Sequence, residues 1–207
     1  MPNKRPAMFT LHTRMGAAMT DHGGWDTPAR FTSPQEEAAT VTRSVGLADV
    51  SWMARLDLKG PGVNAMPALE GHARSWLLGP EHLLITCNPD AFGTVALHVS
   101  SSNGVWMTDV TSVYAQFLLA GPRSRDVLRK LTSLNVSERA LPDLDCGQAA
   151  VSHVRSIVLR QDIGGVAAFH LLTGREYAES MWEAVEHAGR EFSLSPFGLE
   201  ALGKLGS

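Results

Sequence analysis

The stretch from Arg43 to Pro61, RSVGLADVSWMARLDLKGP, constrains the fold more than any other. A preceding helix is expected to stop at Gly46, a strand to run from about Ala48 to Lys59, and Gly60-Pro61 to turn the chain into the next helix. Trp52, Ala54, Leu56 and Leu58 alternate with Met53, Arg55, Asp57 and Lys59. That period of two belongs to a half-buried strand with one apolar and one charged face.

The rest of the chain repeats this strand, turn, helix unit. The first unit runs from the strand 48–59 through Gly60-Pro61 to a helix over about Gly62 to Gly71. A second strand, HLLITC at 82–87, turns at Asn88-Pro89 into a helix holding Phe92, Val95, Ala96 and Val99. VYAQFLLAGPRSRDVLRKLT then repeats the first unit, with Gly121-Pro122 at the turn and Val127, Leu128 and Leu131 on the buried helix face. A fourth places a strand before Gly174 and a helix burying Tyr177, Met181, Trp182 and Val185. VWMTDV at 105–110 and SHVRSIVLRQD at 152–162 supply further strands. The two Gly-Pro turns, at 60–61 and 121–122, are 61 residues apart, and the units after each follow the same order, which is the mark of an internal duplication. Helices crossing between paired strands lie on one sheet face, so the expected class is α+β with two intimately packed ferredoxin-like halves, about 48–110 and 111–200.

Ahead of these units, residues 1–32 show little periodicity and read as an arm, while 33–207 read as one domain. Met8, Phe9, Leu11, Met15, Met19 and Trp25 make the arm too apolar for a loose tail. Packing on this chain's own core and docking on a partner through residues 7–32 are both open readings. Ser33-Pro34-Gln35-Glu36 announces a helix, with a serine cap, proline at the first position and glutamate three residues after the cap. Ala38, Val41 and Val45 form its apolar stripe, which leaves Glu37, Thr40 and Arg43 to solvent.

Composition narrows the function by exclusion. A chain of 207 residues, 44% hydrophobic and 19% charged, can bury a sizeable core. Its net charge of -3 gives no electrostatic case for nucleic acid or for an anionic membrane. No window approaches the roughly 18 apolar residues of a membrane span, and Lys4-Arg5 precede no signal-length apolar run, so a cytoplasmic location is expected. Cys87 and Cys146 stand apart without CxxC spacing, and the eight histidines form no HxH, HxxxH or HExxH, so neither a disulfide framework nor a metal site is expected.

Catalytic motifs are equally sparse. The sequence contains no GxSxG, no GxGxxG after a strand and no GxxxxGK[ST]. Ser100-Ser101-Ser102-Asn103-Gly104 reads as a turn without a partnered base, and Glu36-Glu37 and Glu183–Glu186 as solvated helix faces. Asp49 and Asp109 occupy matching ADVSW and TDVTS steps, where aspartate caps a turn more often than it serves as a base.

The segment GGWDTPARFTSPQEEAATVTRSVGLADVSWMARLDLKGPG resembles the amino-terminal part of the glycine cleavage T-protein (aminomethyltransferase) family. The matching features are Gly24-Trp25, the helix from Ser33 and the run Gly46-Leu47-Ala48-Asp49-Val50-Ser51-Trp52-Met53. FLLAGPRSRDVLRKLT resembles the family's second Gly-Pro unit, and ESMWEAVEHAGREFSLSPFGLEAL the helix and Gly-Leu segment after its third. The resemblance implies a folate-binding fold, with Met53 on the pterin pocket. It departs in three places. The family's Gly-x-x-x-Asp-Asp-x-x-x-Tyr hairpin, which delivers the catalytic aspartate, has no counterpart in GHARSWLLGPEHLLITC. Its Thr-Gly-Glu-x-Gly-Tyr-Glu segment is replaced by Arg160 to Val166. Finally, the sequence stops at Ser207, where the family's carboxy-terminal barrel would begin.

Loss of both acidic positions removes charge-assisted bonds to a pterin of roughly 1.5 to 3 kcal/mol each, so no catalytic residue is expected here. That combination is closest to the gamma subunit of heterotetrameric sarcosine oxidase. The resemblance then implies a small subunit binding no cofactor alone, partnered by larger subunits that carry tetrahydrofolate, FAD/FMN and NAD. A filled, dry centre between the halves is expected of such a subunit. Two readings compete with it: a stand-alone tetrahydrofolate-dependent aminomethyl or methyl transferase, with Asp49 or Asp162 as substitute acid, and a folate-binding or regulatory module.

Overall fold

The computed structural model describes residues 3–65 and 73–206. The helix expected over residues 62–71 falls mostly outside them; within them, Val63–Ala65 form a single 3-10 turn.

Residues 3–30 are more regular than their sequence suggests. They hold a helix α1 (Phe9–Arg14) and an antiparallel hairpin of β1 (Ala18–His22) and β2 (Trp25–Arg30). Met8 and Trp25 are buried in this chain's own core, which withdraws them from any docking role, and Leu11 and Met15 pack beside Met8. The next helix, α2 (Pro34–Arg43), starts as its cap dictates: the Ser33 hydroxyl accepts the Glu36 N–H at 3.2 Å.

The strand expected over 48–59 is two strands in two different sheets, β3 (Gly46–Asp49) and β4 (Ala54–Lys59). A tight turn separates them: Asp49 Oδ1 accepts the Ser51 N–H at 2.9 Å, and the Met53 N–H reaches Val50 O at 3.0 Å. Gly46 begins β3 rather than ending a helix. A methyl group there would meet Val41 Cγ2 at 2.5 Å and Phe197 Cδ1 at 2.7 Å, so the glycine serves close packing.

Four strands follow in the first sheet's half: β4, β5 (Ala73–Gly79), β6 (His82–Cys87) and β7 (Trp106–Asp109), with α3 (Phe92–Ser100) between the last two. All pair antiparallel, in the order β5-β6-β4-β7. The second half contributes β8 (Tyr114–Ala120), α4 (Ser124–Arg129), β9 (Cys146–Val151), β10 (Val154–Arg160), β11 (Ala168–Gly174), α5 (Ala178–Gly189), a two-residue β12 (Ser195–Pro196) and α6 (Leu199–Leu205). Its sheet runs β12-β3-β8-β11-β10-β9.

Numbering each half from its first strand, β5-β6-β4-β7 and β10-β11-β8-β3 fill equivalent places, the ferredoxin-like order. In the second sheet the fourth place belongs to β3, a strand from ahead of the first half. Gly60 and Gly121 reproduce the duplication in backbone detail, with φ of +124° and +128°, a region closed to other residues without strain.

The two sheets pack face to face. Ala54, Leu56, Leu58, Ile85 and Cys87 point outward under α3, against Val95 and Val99. Phe117, Leu119, Val158, Phe169 and Leu171 point outward in the second sheet, under Val127 and Leu128 of α4 and Met181, Trp182 and Val185 of α5. Tyr177, expected beside them, is 47% exposed because it lies in the 3-10 turn before α5. Trp76, Leu84, Ile157, Leu159 and Leu172 fill the space between the sheets. No helix among the described residues is long and apolar enough to cross a membrane.

Candidate functional site

The face of β4 that reads as charged in sequence turns to the other sheet, and at Arg55 it is sealed from water. Arg55 is 0% exposed. Its Nη1 donates to Gln116 Oε1 at 2.8 Å, and its Nη2 donates to Ser51 O at 2.9 Å and to Thr111 O. Its Nε is buried without a partner. Gln116 in turn donates from Nε2 to His170 Nδ1 at 3.0 Å and towards Met53 Sδ at 3.4 Å. The resulting chain, Arg55 to Gln116 to His170, crosses from one sheet to the other beside Met53.

Burial governs the charges of this cluster. It pulls the Arg55 guanidinium down to about 10, against the opposing influence of Asp49, Asp109 and Tyr114. Burial, helped by the Arg55 charge, lowers His170 to about 4, so the imidazole accepts the Gln116 proton at Nδ1 as a neutral ring. In the unfolded chain this histidine takes up a proton near pH 6.5, while in the folded chain it stays neutral until about pH 4. Its stabilising share is therefore complete above pH 6.5 and is lost as pH falls through that window, by roughly 3 kcal/mol in total. Urea midpoints from pH 7 to pH 4.5 should fall steeply in the wild type and more shallowly in His170→Phe. Equal slopes in the two proteins would show that His170 is not the group responsible.

The carboxylates put forward by sequence are held within the chain. Asp49 is 5% exposed; besides capping Ser51 with Oδ1, its Oδ2 lies 3.0 Å from His12 Nε2 of α1. Asp109 caps as expected, accepting the Thr111 N–H at 2.9 Å. Asp162 takes a two-pronged contact from buried Arg160, Nε to Oδ1 at 3.0 Å and Nη2 to Oδ2 at 2.8 Å, and accepts the Ala168 N–H at 3.3 Å. Met53 is partly buried against the Trp25, Val50 and Trp52 cluster, as a core residue would be.

A pterin presents N–H donors that need a free carboxylate, and neither Asp49 nor Asp162 offers one. The described residues at Met53 therefore do not fit that group. The centre is filled here and at Trp76, but not throughout. At one end the sheets part into a cleft of about 520 Å³ that Asp57 lines, which corrects the expectation of a dry centre. Sequence reasoning missed Arg55, Gln116 and His170. The last two had a visible signal, each being one polar residue in an otherwise apolar strand, YAQFLLA and AFHLL.

The fold is that of the amino-terminal region of aminomethyltransferases. The glycine cleavage system aminomethyltransferase T from Bartonella henselae superposes with a TM-score of 0.72 at 18% identity, over 98% of this chain and 61% of that one. A chain of the heterotetrameric sarcosine oxidase from Corynebacterium sp. U-96, in complex with pyrrole 2-carboxylate, gives 0.60 at 20% identity, over 78% of this chain and 96% of that one. In sequence, the aminomethyltransferase of Geobacillus kaustophilus is 30% identical across 96% of this chain, and that of Acidobacterium capsulatum 27% across 96%. This chain spans 62% and 60% of the length of those two relatives. The GCVT N-terminal domain profile matches residues 8–69 and 77–206, and the chain belongs to that family.

Proposed function

We propose that this chain is a non-catalytic, gamma-like small subunit of a heteromeric flavin-dependent sarcosine oxidase or related N-methyl amine oxidase. In that assembly larger subunits carry FAD/FMN, NAD and tetrahydrofolate, and one-carbon units pass to the folate there. The observation that carries the reading is the state of the acidic candidates: Asp49 is tied to His12 and Asp162 to Arg160. Asp49 is buried with Oδ1 on the Ser51 N–H and Oδ2 on His12, and both Asp162 oxygens are taken by Arg160, so a pterin's donors or an attacking amine would compete with bonds already made. The fold likeness over 96% of the sarcosine oxidase chain lends further support.

The names of the curated relatives favour a second reading, a stand-alone tetrahydrofolate-dependent aminomethyl or methyl transferase with Met53 against the pterin. Two measurements divide them. The purified chain should neither bind tetrahydrofolate at micromolar concentration nor turn over a methyl or aminomethyl donor. Co-expressed with the products of adjacent genes, it should purify in a flavin-containing complex. Folate turnover by the chain alone would reject the subunit reading, as would its purification as a free monomer from cells expressing those products.

A further inference from the structure

The cleft at the open end of the sheet interface lies away from Met53 and is built differently. Its volume of about 520 Å³ falls within the range of small-molecule sites, about 300–1,000 Å³. Leu78, Ile157 and Leu172 give it an apolar floor, with Tyr114 beside them. Asp57 lines one wall, its carboxylate already shared between His82 Nε2 and Lys59 Nζ, the latter at 3.1 Å.

The other wall holds two charges with no counter-ion among the described residues. Arg155 lies on the same face of β10 as Ile157 and Leu159, the face turned to the sheet interface, one residue before the Ser156–Thr173 register pair. Glu176 follows β11 and folds back over its end: a methyl group built on Gly174 would meet Glu176 Oε1 at 2.7 Å. Gly174 itself lines the cleft, so the absence of a side chain there is what lets the carboxylate lie against it. Among the described residues neither Arg155 nor Glu176 forms an ion pair, although both line this one cavity.

We propose that this cleft binds a small zwitterion with an apolar body, an amino acid with a large hydrophobic side chain. The ligand's carboxylate pairs with Arg155, its ammonium with Glu176, and its side chain covers Leu78, Ile157 and Leu172. A purely anionic ligand would face two carboxylates, and a purely cationic one would face Arg155 unpaired. Only a molecule with both charges complements the wall. The apolar floor then separates large hydrophobic side chains from small ones.

L-Phenylalanine and its two half-charged analogues, 3-phenylpropanoate and 2-phenylethylamine, test this by calorimetric titration of the full chain. L-Phenylalanine should bind saturably with a Kd below about 1 mM, and each analogue at least about tenfold more weakly. Arg155→Gln, at an exposed position, should weaken L-phenylalanine at least about tenfold and should not weaken 2-phenylethylamine, whose ammonium loses a like-charged neighbour. Gly174→Ala, which displaces the Glu176 carboxylate, should weaken both amines and should not weaken 3-phenylpropanoate, which loses a like-charged neighbour. The proposal is overturned by absence of saturable L-phenylalanine binding, by equal binding of all three probes, or by an Arg155→Gln protein that binds L-phenylalanine as the wild type does.

Discussion

Arg55→Ala is expected to destabilise the fold by about 3 kcal/mol or more, seen as a lower urea midpoint with an unchanged slope. Two effects combine. Truncation leaves Gln116 Oε1, Ser51 O and Thr111 O without their donor in a region sealed from water, and it opens a void between the sheets. A counter-argument exists, because a buried guanidinium with no carboxylate in contact carries a desolvation penalty that its removal relieves. Arg55→Met separates the two. It refills the space and sheds the charge but still strands three acceptors, so it should lose about half as much as alanine. A methionine variant as stable as wild type would mean that the hydrogen bonds contribute little and that shape alone joins the sheets there.

Glu37→Ala should be comparably damaging, by about 3–5 kcal/mol, although its position in α2 looks solvated in sequence. The side chain is 3% exposed and turns back to serve three backbone donors. Oε1 accepts the Phe31 and Thr32 N–H groups, both at 2.6 Å, and Oε2 accepts the Gly198 N–H at 2.8 Å. One carboxylate thereby ties the end of the hairpin segment to the start of α6, 161 residues from Glu37. Glu37→Gln keeps one oxygen but places an NH2 against one of the donors, so it should fall between wild type and alanine. Thermal melts of the three proteins check the order. If glutamine proves as stable as glutamate, the charge is not what holds these donors.

These two residues show where the sequence was legible and where it was not. Elements written in local chemistry could be read directly: the Ser33 cap, the Gly-Pro turns, and the apolar faces of α3, α4 and α5. An alternating or helical period reports that a face is polar, but not what lies opposite that face. For Arg55 it is the second sheet and for Glu37 the loop before Ser33, so Arg55 was read only as part of a charged face and Glu37 was assigned to solvent. The candidate site was less legible still. The Asp49 carboxylate looks available until His12, 37 residues earlier in the chain, is folded against it. Likewise, Gln116 and His170 acquire meaning only when Arg55 reaches Gln116 from another sheet. The hairpin β1–β2 was missed because its strands are short, polar on one side and interrupted by Pro28.

The placement of β3 bears on how the polypeptide reaches its native state. Gly46 to Asp49 pair with Ala120 to Phe117, so this strand has no ladder neighbour until β8 has been synthesised. During translation the four-stranded unit around β4 can close while β3 waits as a bare edge of the kind that invites wrong pairings. Loop closure over so long a separation is slow compared with local hairpin formation. Expressing the second half without residues 46–49 should therefore yield aggregates, and supplying that short segment in trans as a peptide is a route to rescuing it.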